Sequence, residues 1–332
     1  MKLSEYDYDL PPELIAQRPI ENRDDSRLLF YVDERIEHKK FKDIIGFLND
    51  GDTLVLNNSK VIPARIFGNK KSGGKIELLL LKQLNELQWK TLIKAKNMKV
   101  DSEIVFDEGY SCKIIKKEYE VIIEFNKPIN DYIKEHGEMP IPPYIKERLE
   151  EQGRYQTVYA EHEGSAAAPT AGLHFTDYVF EELKKKGVNI VYVTLHVGLG
   201  TFLPVKTENV LEHKMHSEYF EISKETADVI NNTKGKVVAV GTTSIRSLEA
   251  ASDNGIVKPA AMDTEIFIYP GYEFKSPVTH LITNFHLPKS TLLMLISAFK
   301  GYEEIKKAYT EAIKEKYRFF SLGDAMILNK KN

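Results

Sequence analysis

The chain has 332 residues, a formal net charge of −3, 42% apolar residues and 29% charged residues. That length allows one large domain or two ordinary ones with a substantial core, and the charge balance excludes a uniformly basic nucleic-acid binder. The single cysteine, Cys112, excludes an internal disulfide and a cysteine-based zinc cluster, and it suits a reducing compartment.

The N-terminus, MKLSEYDYDL, has no apolar core, so no secretory signal is expected. The longest strongly apolar stretch, 292–299, is too short to cross a bilayer; a cytoplasmic protein without membrane contact is expected. Residues 52–56 read as a strand. The segments 75–81, 89–95, 103–106 and 120–125 read as short strands with turn or charged residues between them, which suggests a small barrel or sandwich. This region is basic: Lys60 to Lys127 carries 14 basic and 9 acidic residues, against 32 and 40 elsewhere. The excess points to a polyanion partner or to a lysine-rich solvated sheet face. The proline-rich run 139–144 reads as an extended connector leaving the insert.

Strands and helices alternate from there. Thr176 caps a predicted helix to Lys186, which Gly187 stops, and a strand follows at 188–194. Ser223 caps a helix through Ile230. A strand at 237–240 enters Gly241 and a helix at 243–251. Strands at 265–269 and 280–283 precede a helix at 290–299, and Tyr302, Ile305, Tyr309 and Ile313 recur at helical spacing. The alternation implies an α/β domain with a largely parallel sheet. The expected fold is an α/β main domain, 1–60 and 152–332, with a small β-barrel domain inserted at 61–151.

Four segments sit where strands meet loops or helices: 165–176, 196–205, 241–246 and 283–291. In open α/β sheets such loops converge outside the carboxyl ends of the strands. At Gly241 the hydroxyls of Thr242 and Thr243 and the free N–H groups of a helix start suit a carboxylate or phosphate, or they simply cap the helix. Arg246 shares a helix face with Glu249; it is a carboxylate fork or an intrahelical ion pair. The small residues of 166–172 admit a ligand close to the backbone, or build a tight buried loop. No G-x-G-x-x-G or Walker loop occurs in suitable context. His213, His216 and Glu218, with His174, His196 and His286 elsewhere, raise a metal reading, but H-x-x-H is a loose signal and H-E-x-x-H is absent.

Taken in order, these segments resemble one family over nearly the whole chain, the S-adenosylmethionine:tRNA ribosyltransferase-isomerases of the queuosine pathway. The resemblance is carried by Tyr6-Asp-Tyr-Asp-Leu-Pro-Pro-Glu-Leu-Ile-Ala-Gln17, by Arg23-Asp-Asp-Ser-Arg-Leu-Leu29, and by Asp52-Thr-Leu-Val-Leu-Asn-Asn-Ser-Lys-Val-Ile-Pro-Ala-Arg65. It continues through Tyr155-Gln-Thr-Val-Tyr159, Ala167-Ala-Pro-Thr-Ala-Gly-Leu-His-Phe175, His196-Val-Gly-Leu-Gly-Thr-Phe202, Gly241-Thr-Thr-Ser-Ile-Arg246, Thr283-Asn-Phe-His-Leu-Pro288 and Phe319-Phe-Ser-Leu-Gly-Asp-Ala-Met326. Leu322 stands where the family usually has Tyr, and Thr279 where it often has Asp. The resemblance implies ribosyl transfer from S-adenosylmethionine to 7-aminomethyl-7-deazaguanine at the wobble position of a queuosine-type tRNA. The products would be epoxyqueuosine-tRNA, adenine and methionine. No metal and no cofactor beyond S-adenosylmethionine as co-substrate is expected.

On that reading His174 and His286 are the acid–base pair, or hydrogen-bond the substrate, or pack in the core. Thr170, Gly172, Gly241, Thr242, Thr243, Arg246, Asn284 and Asp324 are the expected substrate-binding residues. Asp324 would hold ribose hydroxyls or pair with an arginine. Arg27, Arg65, Lys70, Lys71, Lys94 and Lys96 are the expected tRNA contacts, with surface ion pairing as the plain alternative. An S-adenosylmethionine-dependent RNA methyltransferase and a metal-dependent hydrolase are the competing functions.

Overall fold

Thr53–Asn57 is five consecutive buried residues, the pattern of a strand covered on both faces. The computed structural model describes residues 1–95, 97–117, 121–147, 149, 151–198, 205 and 207–331. It divides into a larger unit, Met1–Ser59, Pro142–His162 and Ala168–Asn332, and a smaller one, Lys60–Ile141 and Glu163–Ala167. The sequence reading placed the insert at 61–151. Residues 142–151 instead group with the larger unit, and 163–167 with the smaller.

In chain order, β1 (Arg27–Val32), β2 (Arg35–Lys40), α1 (Ile44–Phe47) and β3 (Thr53–Asn57) come first. Next are β4 (Ser59–Val61), β5 (Arg65–Lys70), β6 (Lys75–Gln83), β7 (Gln88–Lys94), β8 (Glu103–Val105), β9 (Ser111–Lys117), β10 (Val121–Phe125) and α2 (Asn130–His136). Then come β11 (His162–Ser165), α3 (Asp177–Lys185), β12 (Asn189–Leu195), β13 (Glu218–Ile222), α4 (Lys224–Asn231), β14 (Val237–Val240) and α5 (Gly241–Ala251). The short β15 (Ser252–Asp253) and β16 (Ile256–Val257) precede β17 (Ala260–Thr264), β18 (His280–Asn284), α6 (Thr291–Lys300), α7 (Tyr302–Lys314) and β19 (Ala325–Asn329).

The larger unit holds a nine-stranded sheet in the order β17-β13-β12-β3-β14-β18-β19-β1-β2. Its centre, β12-β3-β14-β18, is parallel. The sheet as a whole is mixed rather than largely parallel. Between β18 and β19 the chain runs through two helices, α6 and α7, so it reverses three times and returns β19 antiparallel to β18. Strands β2, β13 and β17 add antiparallel edges. Leu54 and Leu56 of β3 pack with Val238, Val240, Ile282 and Ile327 of the sheet and with Phe175, Val179, Phe180 and Leu183 of α3 and its entry. Burying an aliphatic or Phe side chain of this kind contributes about 1.5–3 kcal/mol. Helices α3, α4 and α6 start where their caps predict: Thr176, Ser223 and Ser290 each accept the N3 backbone N–H.

The strand expected at 265–269 is absent. Strand β17 lies five residues earlier, paired from Ala260 to Thr264 with β13. The aromatic run was misread as strand: Phe267 packs edge-on to His213 and beside Tyr269.

The smaller unit contains the expected barrel, closed and antiparallel in the order β10-β7-β6-β5-β8-β9. Alternate residues point inward: Ile66, Ile76, Leu78, Leu80, Trp89, Ile104, Ile114, Ile123 and Phe125 form its core, with Tyr132 and Ile133 of α2. Gly68 on β5 faces the Phe106 ring and Ile104 so closely that a Cβ there would overlap both. Cys112 is enclosed in this core, and burial pushes its thiol up to about 12, which leaves it protonated and inert.

Candidate active site

Strand β14 is buried at every position and ends at Gly241, whose φ of +87° suits glycine and turns the chain directly into α5. The parallel neighbour β18 ends at Asn284 and feeds Phe285 and His286. Loop residues 168–171 reach the same place. The cleft they form encloses about 640 Å³ of space open to solvent and is lined by Thr170, Gly241, Thr242, Thr243, Asn284 and His286. Tyr144, Phe320 and Ser321 complete its aromatic side. It therefore lies at the carboxyl ends of parallel strands, where the topology predicts a ligand.

The head of α5 is rich in unpaired donors. Thr243 Oγ1 and the Nε and Nη2 of Arg246 are buried and have no hydrogen-bond partner among the described residues. They lie one helical turn apart, on one face. Arg246 is 3% exposed and does not line the cleft; its Nη1 is ion-paired with Glu218, not Glu249. Glu249 accepts the N–H of Lys275 and Ser276 and the Tyr272 hydroxyl. Glu218 also accepts the Gly198 N–H at 2.8 Å. Glu218, one of the three residues that raised a metal reading, is thus the counter-ion of Arg246. Among the described residues, the His/Asp/Glu group close enough to share an ion is instead the exposed set Glu108, Glu135 and His136.

His286 lines the cleft at 8% exposure. Its peptide is clamped from both sides: the N–H donates to Tyr309 Oη at 2.8 Å, and the carbonyl accepts from Tyr8 Oη at 2.5 Å. In the ring, Nε2 lies 2.8 Å from Thr283 Oγ1, while Nδ1 has no partner among the described residues. Desolvation holds its pKa down to about 3, so the ring is neutral near pH 7.

Two expected ligand residues lie elsewhere. Gly172 is a packing glycine: a side chain there would overlap the Tyr159 hydroxyl and touch Thr157. Asp324 is 1% exposed, and its two oxygens accept the backbone N–H groups of Arg27 and Arg318 at 2.9 and 2.8 Å. It braces two chain segments, lies outside the cleft lining, and is ion-paired with no guanidinium among the described residues. His174 is likewise outside the cleft lining, stacked on Phe41 at 5.0 Å.

The chain matches the family model described as Queuosine biosynthesis protein over residues 3–328. It belongs to the queuosine biosynthesis protein family. Relatives named S-adenosylmethionine:tRNA ribosyltransferase-isomerase include that of Clostridioides difficile, 54% identical across 99% of this chain and 100% of its own length. Another, from Acetivibrio thermocellus, is 54% identical with the same coverage. The crystal structure of the S-adenosylmethionine tRNA ribosyltransferase of Thermotoga maritima is 40% identical, with a TM-score of 0.55 over 97% of this chain and 99% of that one. Membership in this family gives the methyltransferase and hydrolase alternatives no support.

The expected tRNA contacts have varied surroundings. Arg27 lies 3.8 Å over the Tyr317 ring and donates to the Glu315 carbonyl at 2.6 Å, closing the C-terminal end of α7. This is a structural task. In the barrel, Arg65 and Lys94 both lie beside Glu77, at 3.4 and 3.3 Å, and Lys71 lies 2.6 Å from Glu103. Lys70 ends β5, half-buried, and Lys96 lies outside the described residues. The Lys94 and Lys71 side chains remain 84% and 68% exposed. Such surface pairs contribute only about 0–1 kcal/mol, so either lysine can exchange its carboxylate for a phosphate. The sequence analysis did not single out Tyr144, Phe320 or Tyr8. The signal at Phe320 is its φ of +72°, a left-handed conformation rare for a buried aromatic.

Proposed function

We propose that this chain is an S-adenosylmethionine:tRNA ribosyltransferase-isomerase. It transfers and isomerises the ribosyl group of S-adenosylmethionine onto 7-aminomethyl-7-deazaguanine at the wobble position of a queuosine-type tRNA, in the cytoplasm. Epoxyqueuosine-tRNA, adenine and methionine are the products. The observation that carries this reading is that segments 168–171, 241–243, 283–286 and 320–321, all within family motifs, line one cleft. Among the described residues no helix is long and apolar enough to cross a membrane.

The chemistry asks for a base at the ribose C5′ hydrogens, which the sulfonium acidifies, and for a proton donor to departing adenine. The substrate's neutral amine then attacks the opened sugar, and the ylide carbon closes the epoxide as methionine leaves. His286 serves both proton transfers. When Thr283 accepts the Nε2–H, the Nδ1 lone pair is free to take the C5′ proton. The same ring then gives that proton to the purine. No metal takes part. The methionine carboxylate sits at the head of α5, where the helix dipole and the unpartnered Thr243 hydroxyl favour an anion. Tyr144 and Phe320 flank the purine. Barrel lysines Lys70, Lys71 and Lys94 track tRNA phosphates.

Thr243→Val tests the placement of the donor. The swap keeps the shape and removes the unpaired buried hydroxyl. Calorimetric titration with S-adenosylmethionine should show affinity weakened roughly tenfold, the worth of one hydrogen bond to a charged group. An unchanged Kd would move the carboxylate away from α5.

A further inference from the structure

We infer that His174 is a positioning residue: through a directed hydrogen-bond chain it fixes the amide of Asn284, so that Thr170 meets the ligand as an acceptor only. For the identity of the ligand this rests on the function proposed above; the chain itself does not.

The direction of the chain follows from proton counting. Ser26 is fully buried, and the Arg23 carbonyl at 3.0 Å, which can only accept, is its hydrogen-bond partner only when it takes the single hydroxyl proton; both Ser26 contacts are satisfied in no other way. Its 2.7 Å contact with His174 Nδ1 therefore needs the proton on the ring nitrogen. A neutral ring with Nδ1–H carries its lone pair on Nε2. That lone pair accepts from Asn284 Nδ2 at 3.2 Å. The same Nδ2 faces the Asp324 carbonyl at 3.5 Å. A flipped amide would set its oxygen against both the lone pair and that carbonyl. The Asn284 oxygen is thus turned toward Thr170, whose hydroxyl donates to it at 3.0 Å.

The two ends of the chain differ. The carbonyls of Arg23 and Asp324 anchor it inside the protein, while Thr170 and Asn284 line the cleft. The ring of His174 is 5% exposed and stacked on Phe41. Burial, with Arg318 and Arg23 nearby, holds it neutral down to about 3. With its proton committed, Thr170 offers the cleft only lone pairs. Such a wall selects a hydrogen-bond donor and disfavours a carboxylate or phosphate oxygen. Within a ribosyl donor the matching groups are the sugar hydroxyls, at the opposite role from the donor-rich head of α5.

The tautomer is read on the protein alone, by nitrogen NMR of the full chain labelled in histidine, with the His174 signal assigned by its shift in Ser26→Ala. A neutral Nδ1–H ring, constant from about pH 5 to 8, is expected. An Nε2–H tautomer, or an imidazolium appearing near pH 6–7, would overturn the chain. The second arm compares S-adenosylmethionine with its 2′- and 3′-deoxy analogues by direct binding. The protein should prefer the parent over one analogue by roughly tenfold, and Thr170→Val should abolish that preference. Equal discrimination in Thr170→Val would refute the acceptor role. Loss of all S-adenosylmethionine binding by the unmodified protein would instead strike the proposed function and leave the tautomer result standing. In His174→Gln, which keeps an acceptor for Asn284, the pH profile of kcat/KM should match that of the unmodified enzyme. A lost ionisation there would mark His174 as acid or base.

Discussion

His286→Ala is expected to lower turnover by roughly 10²–10⁴-fold while the protein still binds S-adenosylmethionine. The side chain supplies the Nδ1 nitrogen of His286, which has no partner among the described residues. Its peptide is held by Tyr8 and Tyr309 independently of the ring, so the cleft wall should keep its shape in the variant. The pH dependence has a definite sign. A histidine lowered to about 3 is neutral, with its ring lone pair available, at every pH above that value. His286 should therefore add no ionisation near pH 6.5 to kcat/KM of the free enzyme. Single-turnover assays across pH 5–8 would show both features. Near-normal turnover in a folded His286→Ala protein would remove this residue from the chemistry.

Arg246→Met should cost about 3–5 kcal/mol of folding stability. The substitution strands the Glu218 carboxylate at 4% exposure, where its desolvation is no longer offset by the guanidinium. Glu218→Gln in the same background should recover part of the loss, because the uncompensated charge is then gone. Denaturant unfolding of the two single variants and the double variant gives the coupling directly. A cost near zero for Arg246→Met would mean that the pair is not a buried ion pair.

The ligand-bearing turns were readable because their causes are local. Val237–Val240 is a continuous apolar run followed by a glycine, and that pattern alone places a buried strand, a sharp turn and the head of α5. The barrel was readable for the same reason, from a series of short strands separated by turn or charged residues. What sequence reasoning missed depends on distant partners. Glu249, on the same helix, was the ion-pair alternative for Arg246, but the counter-ion of Arg246 is Glu218, 28 residues back. His174 and His286 look equivalent in the motifs. Ser26, 148 residues from His174 in sequence, binds one ring into the interior, while the other ring lines the cleft. Asp324 was open to ribose hydroxyls or to an arginine, but its two oxygens accept backbone amides from segments far apart in sequence. The sheet was expected to be largely parallel from the alternation of strands and helices; α6 and α7 were both expected, but no strand was read after them, and the helix pair returns β19 antiparallel.

The carbon that reacts distinguishes ribosyl transfer from every other use of S-adenosylmethionine, and it does so without reference to any residue assignment. A methyltransferase attacks the sulfonium methyl and leaves S-adenosylhomocysteine. Ribosyl transfer with isomerisation breaks the glycosidic bond and the C5′–sulfur bond and leaves adenine and methionine. The deciding measurement incubates the protein with S-adenosylmethionine labelled separately in the ribose and in the methyl group, together with tRNA carrying 7-aminomethyl-7-deazaguanine and a metal chelator. Ribose label in the tRNA, with methyl label recovered in free methionine, is the predicted result. Methyl label in the tRNA, with S-adenosylhomocysteine as the co-product, would contradict the account.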